Sequence, residues 1–343
     1  MPEVAIPRFL GTAEYATRIV LPNMLHVKVL TSPHVHARIK SIDTSKAERM
    51  PSVAYILTHK NAPGTYPLPQ ELNFQGEIVA FVAAATEDMA EDAVEAIAVE
   101  YDVLPSAPTI KDVMASNAPD LRAGKGNLIL LPQNNPHYDP KATWVARHGD
   151  IDRGFAEAEI IKEFTYYFGG AVAVPMQPCG SVACWEGDKL TFWGMGQDIY
   201  PSRANLARAL DMDVAKVRFI NKYNGCTFGA ANAAARLNPW IAHIAKMTAR
   251  PVRLMLPKDQ ELAHITVKPE NIVNFKVGAM KDGRIVALLH EFHMSAGDQE
   301  AVGHVTVEVS KNQTELYTTK VPHWKSAWYA YRTNTIRAGI CRS

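Results

Sequence analysis

Three places in this 343-residue chain combine residue types able to do chemistry, and each uses neutral or cationic groups. The first is the run Tyr223–Asn224–Gly225–Cys226–Thr227–Phe228–Gly229–Ala230–Ala231, which follows the strand-like Val217–Arg218–Phe219–Ile220. Small residues let a backbone approach a ligand closely, so successive N–H groups can point at an anion or a metal-bound oxygen. The second is Gln197, whose amide can donate a hydrogen bond without fixing a charge. The third is Arg342, near the C-terminus, whose guanidinium is a permanently charged, many-donor group. Taken alone, each has an ordinary reading too. The loop can simply turn the chain, Gln197 can face solvent at a strand end, and Arg342 can belong to a frayed tail.

Composition narrows the setting. Hydrophobic residues make up 47% and charged residues 21%, ordinary values for a globular protein. A net charge of +1 argues against nucleic acid or an acidic membrane surface as the main partner. No apolar run reaches the ~20 residues that span a bilayer, and the opening MPEVAIPRF lacks a signal-peptide profile. The four cysteines (Cys179, Cys184, Cys226, Cys341) form no CxxC pair and no zinc-spaced cluster, so reduced structural thiols in the cytoplasm are expected. His34 with His36, and His290 with His293, read as packing or surface histidines on strands rather than ligands.

The elements that must position these residues fall into an α+β order. Strands are expected at Leu25–Leu30, Arg38–Ile42, Val53–Leu57 and the wholly apolar Ile78–Ala84. Thr86 caps a helix that places Ala90, Ala93, Val94 and Ile97 on one face, and Ala98–Tyr101 resumes a strand. Residues 1–115 therefore read as one compact unit. Residues 116–148, rich in Pro, Asn, Gly and Asp, read as a connector. A second domain, 149–343, opens where Asp150 caps a short helix. It continues with strands Ile160–Tyr167, Ser181–Glu186, Lys189–Trp193, Arg250–Leu256, Asn274–Ala279 and Ile285–Phe292. A helix starting near Pro201 should bury Ala204, Leu206, Ala209 and Leu210, and one over 230–248 should be kinked or split by Pro239.

An ordered series of short motifs resembles one family. Gly11–Thr12–Ala13–Glu14–Tyr15, Leu21–Pro22–Asn23–Met24–Leu25 and Ser32–Pro33–His34–Val35–His36–Ala37–Arg38–Ile39 look like the opening of the molybdenum subunit of the xanthine oxidase family. Gln75–Gly76–Glu77–Ile78–Val79–Ala80, Val99–Glu100–Tyr101, Gly149–Asp150, Phe155–Ala156–Glu157–Ala158, Arg250–Pro251–Val252–Arg253–Leu254 and Lys281–Asp282–Gly283 continue it in the family's order. The implied fold is an a/b hammerhead domain followed by a mixed α/β molybdopterin-binding domain.

The resemblance implies specific roles. Gln197 matches the glutamine that donates to an oxygen on the molybdenum, work done around the metal rather than on it. Phe228 and Gly229 match a Phe–Gly pair whose backbone N–H faces that oxygen while the ring stacks on a planar substrate. The family pattern GGGFGGK stands here as Gly225–Cys226–Thr227–Phe228–Gly229–Ala230–Ala231, with three glycines and a lysine replaced. Gly225 and Thr227 belong to the implied cofactor contacts. Asn232 occupies the place of a substrate-binding glutamate, although as an isolated residue it reads equally as a cap or turn. Gln177, in Ala173–Val174–Pro175–Met176–Gln177–Pro178, and Lys258 stand where relatives carry an acid and an arginine. Arg342 falls on the arginine of a Phe–Arg–Gly motif.

By this resemblance the chain is expected to be the N-terminal half of a split molybdenum hydroxylase large subunit. It would oxidise a C–H bond of a neutral aromatic or cyclic small molecule, with water as the oxygen source. The cofactor would be molybdopterin, either plain or as the cytosine dinucleotide. Implied partners are a second molybdopterin-binding chain, a 2Fe–2S subunit and, in part of the family, an FAD subunit. Two alternatives stay open on the residues: a molybdenum-dependent hydratase or dehydrogenase acting on an activated double bond, and a non-catalytic structural or cofactor-delivery subunit.

Overall fold

A computed structural model describes residues 2–131, 133, 139–229, 235–299, 318 and 320–339. By contacts the chain divides into two units, each assembled from two stretches: Met1–Leu104 with Ala173–Ile265, and Pro105–Val172 with Thr266–Ser343.

The first unit is built on a seven-stranded sheet. Its order is Val217–Ile220, Lys189–Gly194, Gly180–Glu186, Val252–Met255, Leu25–Thr31, Ile78–Ala84 and Val53–Thr58. Strands from both ends of the unit are thus neighbours: Leu25 pairs with Val252 and Val27 with Leu254 in parallel register. Alternation explains the join, because Leu25, Val27, Val29, Val252 and Leu254 all enter one apolar cluster. Ile78–Ala84 is buried along its whole length. Ile78, Phe81 and Ala83 feed that cluster, while Val79, Ala80 and Val82 feed a second one with Ile39, Ile56 and Ala93. A strand covered on both faces must be apolar throughout, as this one is.

Local signals set the helices. Thr86 accepts from the Met89 N–H and starts the helix Glu87–Glu95, which buries Ala90 and Ala93. The helix Ile199–Ala209 buries Leu206 and Ala207, whereas Ala204, Ala209 and Leu210 are only half-buried. Pro239 does not kink a long helix: it sits in the first turn of Asn238–Thr248, where a missing N–H costs nothing. Ile241, Ala242, Ile244 and Ala245 are that helix's buried face. A smaller sheet of Glu71–Leu72, Ala37–Asp43 and Ala98–Val103 completes the unit.

The second unit carries a sheet ordered Leu128–Ile129, His323–Arg332, Ile285–Gly297, Asn271–Ala279 and Ile160–Phe168, with Trp144–His148 also on His323–Arg332. The stretch read from sequence as a connector therefore supplies two strands of this sheet. Its core joins Ile129, Trp144, Met294 and Trp328, and the rings of Phe292 and Trp328 stack at 3.9 Å. Asp150 accepts from the N–H groups of Asp152 and Arg153, capping Ile151–Glu157 as its sequence position suggests. Among the described residues no helix is long and apolar enough to cross a membrane.

Candidate cofactor site

Sheet register gathers the chemically promising loops at one edge. Lys189–Gly194 and Val217–Ile220 run parallel, with Trp193 opposite Ile220. The chain therefore leaves both strands at the same end. One departure leads to Gly196–Gln197, the other to the loop 221–229. Gly180–Glu186 runs antiparallel to Lys189–Gly194, with Ser181 opposite Gly194, so the preceding segment 175–179 arrives at this edge. Gly180 also faces Met255 across the next antiparallel pair, which brings Leu256–Lys258 there too. Loops at the carboxyl ends of adjacent parallel strands are the usual ligand position in such sheets. Below them the packing is tight. Met195, Leu254 and Leu256 close around a recess of about 10 Å³, room for no more than a single water.

Hydrogen bonds tie the loops together. Asn221 donates from Nδ2 to the Gly196 carbonyl at 2.6 Å, coupling the loop to the turn that carries Gln197. The Gln177 side-chain oxygen accepts from the Gly225 N–H. Gln177 is only 9% exposed, and its Nε2 is buried with no hydrogen-bond partner. Asn224 Oδ1 is buried and unpartnered as well. On the outer side Arg8 donates to the Asn224 carbonyl at 3.3 Å, and Tyr15 packs on Tyr223 at 6.0 Å between ring centres. Two residues then adopt left-handed backbone, Phe228 at φ 52° and Gly229 at φ 80°. For Phe228 this is an uncommon conformation, and it turns the chain sharply within the loop.

Behind Gln177 lies an ion pair with one buried and one exposed partner. Glu261 is 0% exposed, and Lys258 Nζ approaches its Oε1 at 2.7 Å. The neighbouring Cys179 thiol is pushed up to about 12, mainly by burial and further by the Glu261 charge, so it stays protonated and inert.

Most of the residues anticipated from sequence come together. Gln177, Gln197, Gly225, Thr227, Phe228 and Gly229 all belong to segments meeting at this edge, with Gln197 exposed, Thr227 buried and Phe228 half-buried. Asn232 and Arg342 lie outside the described residues. His34 and His36 sit in bends rather than on a strand: His36 Nε2 is 3.4 Å from Glu71 Oε1, and His34 packs edge-on against Tyr101. His290 is buried, and His293 stacks on Tyr329 at 4.6 Å. Sequence reasoning overlooked Asn221 and Glu261. The only signal for Glu261 is its three-residue spacing from Lys258, which normally marks a solvated pair.

Comparison with known proteins decides the family. The model of the molybdopterin cofactor-binding domain matches residues 133–343, and that of the aldehyde oxidase and xanthine dehydrogenase a/b hammerhead domain matches 10–105. This chain belongs to the xanthine oxidase family of molybdopterin-binding subunits. A probable hypoxanthine oxidase, XdhD, of Escherichia coli O157:H7 is 30% identical over 312 residues, covering 79% of this chain and 32% of the relative. The nicotinate dehydrogenase large molybdopterin subunit of Eubacterium barkeri is 25% identical over 315 residues, covering 88% of the chain and 71% of the relative. The crystal structure of quinoline 2-oxidoreductase from Pseudomonas putida 86 superposes with a TM-score of 0.84 at 22% identity, over 98% of this chain and 44% of that one. Thus the chain spans about a third of the length of the hypoxanthine oxidase relative.

The residues present fit the family's cofactor. An organic ligand that holds its own metal needs neutral, oxygen-directed donors and a close backbone rather than a set of His, Cys and carboxylate ligands. This edge offers Gln197, the orphaned Gln177 Nε2 and the left-handed backbone of Phe228 and Gly229.

Proposed function

We propose that this chain forms one wall of the active site of a molybdenum hydroxylase, which oxidises a C–H bond of a neutral aromatic or cyclic small molecule. One observation carries the reading: Gln197 and the 221–229 loop leave the same end of two paired parallel strands, joined by the Asn221–Gly196 hydrogen bond. When bound, molybdopterin supplies the metal centre that accepts two electrons from the substrate, with water as the source of the inserted oxygen. The chain's own residues position and orient. Gln197 donates its amide hydrogen toward the cofactor, and the backbone of Gly225, Thr227 and Gly229 cradles it. The Phe228 ring forms a flat apolar wall for a planar substrate. Gln177 presents an amide donor where a carboxylate would repel electron-rich or anionic substrates, and Asn232 and Arg342 are further substrate contacts in this reading.

The assembly belongs to the same proposal. A second molybdopterin-binding chain completes the site, a 2Fe–2S subunit receives the electrons, and an FAD subunit passes them on in a cytoplasmic complex. Support for a divided subunit comes from the E. barkeri relative, a large molybdopterin subunit of which the match spans 71%. Free thiols at Cys179, Cys184 and Cys226 agree with a reducing compartment.

The test is Gln197→Ala in the reconstituted complex. A loss of turnover of about 10–100-fold with molybdenum still bound is expected, the range typical of residues acting around a metal. Unchanged turnover would reject the hydroxylase reading in favour of a structural or delivery role. Product formed without any electron acceptor would point instead to hydration.

A further inference from the structure

We propose that Lys258 and Glu261 are positioning residues that set the Gly225 amide and the Gln177 side chain in the cofactor edge. The inference rests on the reading that this edge receives the cofactor. Glu261 is fully buried and uses both oxygens. Oε1 meets Lys258 Nζ at 2.7 Å, and Oε2 accepts the Cys179 N–H at 2.8 Å. Lys258 Nζ also donates to the Pro175 carbonyl at 2.8 Å. The ion pair therefore grips the segment 175–179 at both ends. Midway along that segment stands Gln177, whose oxygen takes the Gly225 N–H and whose Nε2 is buried and unspent.

The arrangement is anchored from the sheet rather than from the loop. Lys258–Leu262 is a short helix directly after the strand Val252–Met255, and the Leu256 N–H donates to the Cys179 carbonyl at 3.0 Å. Backbone groups of Cys179 are thus held on both sides while the Gln177 side chain projects to Gly225. A buried carboxylate left without its cation would draw water or move, and either change shifts the 175–179 segment. Among the described residues this is the only ion pair in which one partner's side chain is 0% exposed. It stands one side chain away from the loop that sequence and register single out.

Amide hydrogen exchange on the full chain tests the idea without needing activity. Lys258→Met should raise exchange at the Gly225 amide about tenfold, while amides of Gly180–Glu186 and Val252–Met255 keep their protection. Lys258→Arg, which retains the cation, should exchange like the parent. If Lys258→Met folds poorly, the paired Lys258→Met and Glu261→Gln variant removes both charges yet keeps an acceptor for Cys179, and the same rise at Gly225 is expected. Unchanged Gly225 exchange, or a rise spread equally over the sheet, overturns the proposal. Molybdenum content of the parental complex is read separately. A parent that never takes up molybdopterin sinks the function proposed above, and the exchange result stands or falls on its own.

Discussion

Trp193 and Ile220 face each other across a parallel pair of strands, and that register sends the segments of Gln197 and Phe228 off the same end of the sheet. Three residues past Trp193 the chain is at Gly196, held by Asn221, which is itself one residue past Ile220. Had the two strands been antiparallel, these loops would emerge at opposite ends of the sheet. Antiparallel partners on the other side then add Gln177 and Lys258 to the same edge. The site is a consequence of sheet order, and each loop residue in it can be tested against that geometry.

Gly225→Ala should damage the site more than the fold. A Cβ at that position would lie 2.7 Å from Gln177 Oε1 and 2.8 Å from Gln177 Cβ. Relief requires Gln177 to swing away, which breaks its bond to the Gly225 N–H. Losing such a bond costs about 1 kcal/mol of stability. Urea unfolding should register that modest loss, while molybdenum content of the complex falls severalfold. A variant with parental molybdenum content would show that Gln177 need not hold the loop.

Gln177→Glu and Gln177→Leu together isolate the orphaned Nε2. The carboxylate keeps an acceptor for Gly225 but loses the donor and adds charge, whereas leucine loses both polar atoms. Leucine should release the loop and lower stability by about 1–2 kcal/mol through the unsatisfied Gly225 N–H. Glutamate should leave the loop in place and instead raise KM for a neutral substrate by about tenfold, with kcat less affected. Steady-state kinetics on the complex read the difference. Equal KM in parent and Gln177→Glu would remove Gln177 from the substrate contacts.

Stability should fall in mild acid through two buried histidines. Burial, with Arg236 adding to it, lowers the His264 pKa to about 3, and burial lowers that of His290 to about 4. In the unfolded chain both take a proton near 6.5, so below that pH the unfolded state binds more protons than the folded one. Their full contribution is present above pH 6.5 and drains away as pH falls toward 4 and 3. The expected slope is about 1.4 kcal/mol per pH unit for each histidine in that window. His290 packs against Phe275 and Phe292 at 5.8 and 5.1 Å, so His290→Phe suits its surroundings and should flatten the slope. Urea midpoints from pH 7 to 4 check it, and a slope unaltered in His290→Phe would assign the effect elsewhere.

Elements governed by local signals were legible from the chain itself. Thr86 and Asp150 announce their helices because a cap is a short-range bond, and Ile78–Ala84 declares its burial by having no polar residue. Elements set by distant partners were not. His323–Arg332 mixes Lys325, Ser326 and four aromatics without alternation, and pairing with distant strands such as Ile285–Gly297 makes it a strand. Pro239 misled because proline breaks a helix interior but favours a first turn, and the sequence does not say where the helix begins. Motif resemblance singled out Gln197, Phe228 and Gly229, whose segments leave the sheet at one edge. Glu261 escaped because one of its hydrogen-bond partners, Cys179, stands 82 positions away. For Gln177 the sequence suggests a substrate contact in place of an acid but not its bond to Gly225, 48 positions on, which is tertiary.

Asn221→Ala is the sharpest test of whether the two parallel-strand loops act as one site. The Nδ2 to Gly196 carbonyl bond of 2.6 Å is a direct link between them, and Gly196 immediately precedes Gln197. Removing it should cost about 1 kcal/mol of stability, since Asn221 is only half-buried and water can replace part of the bond. The effect on catalysis should be larger, because a shift of about 1 Å in a positioning group can cost about 100-fold. Asn221→Asp tests the sign of the contact: a carboxylate cannot donate to a carbonyl, so it should behave like alanine or worse. If Gln197 depends on this link, adding Gln197→Ala to Asn221→Ala lowers kcat little further. Fully multiplicative losses in the double variant would mean that Asn221 and Gln197 act independently, and the shared sheet edge would then be only a coincidence of topology.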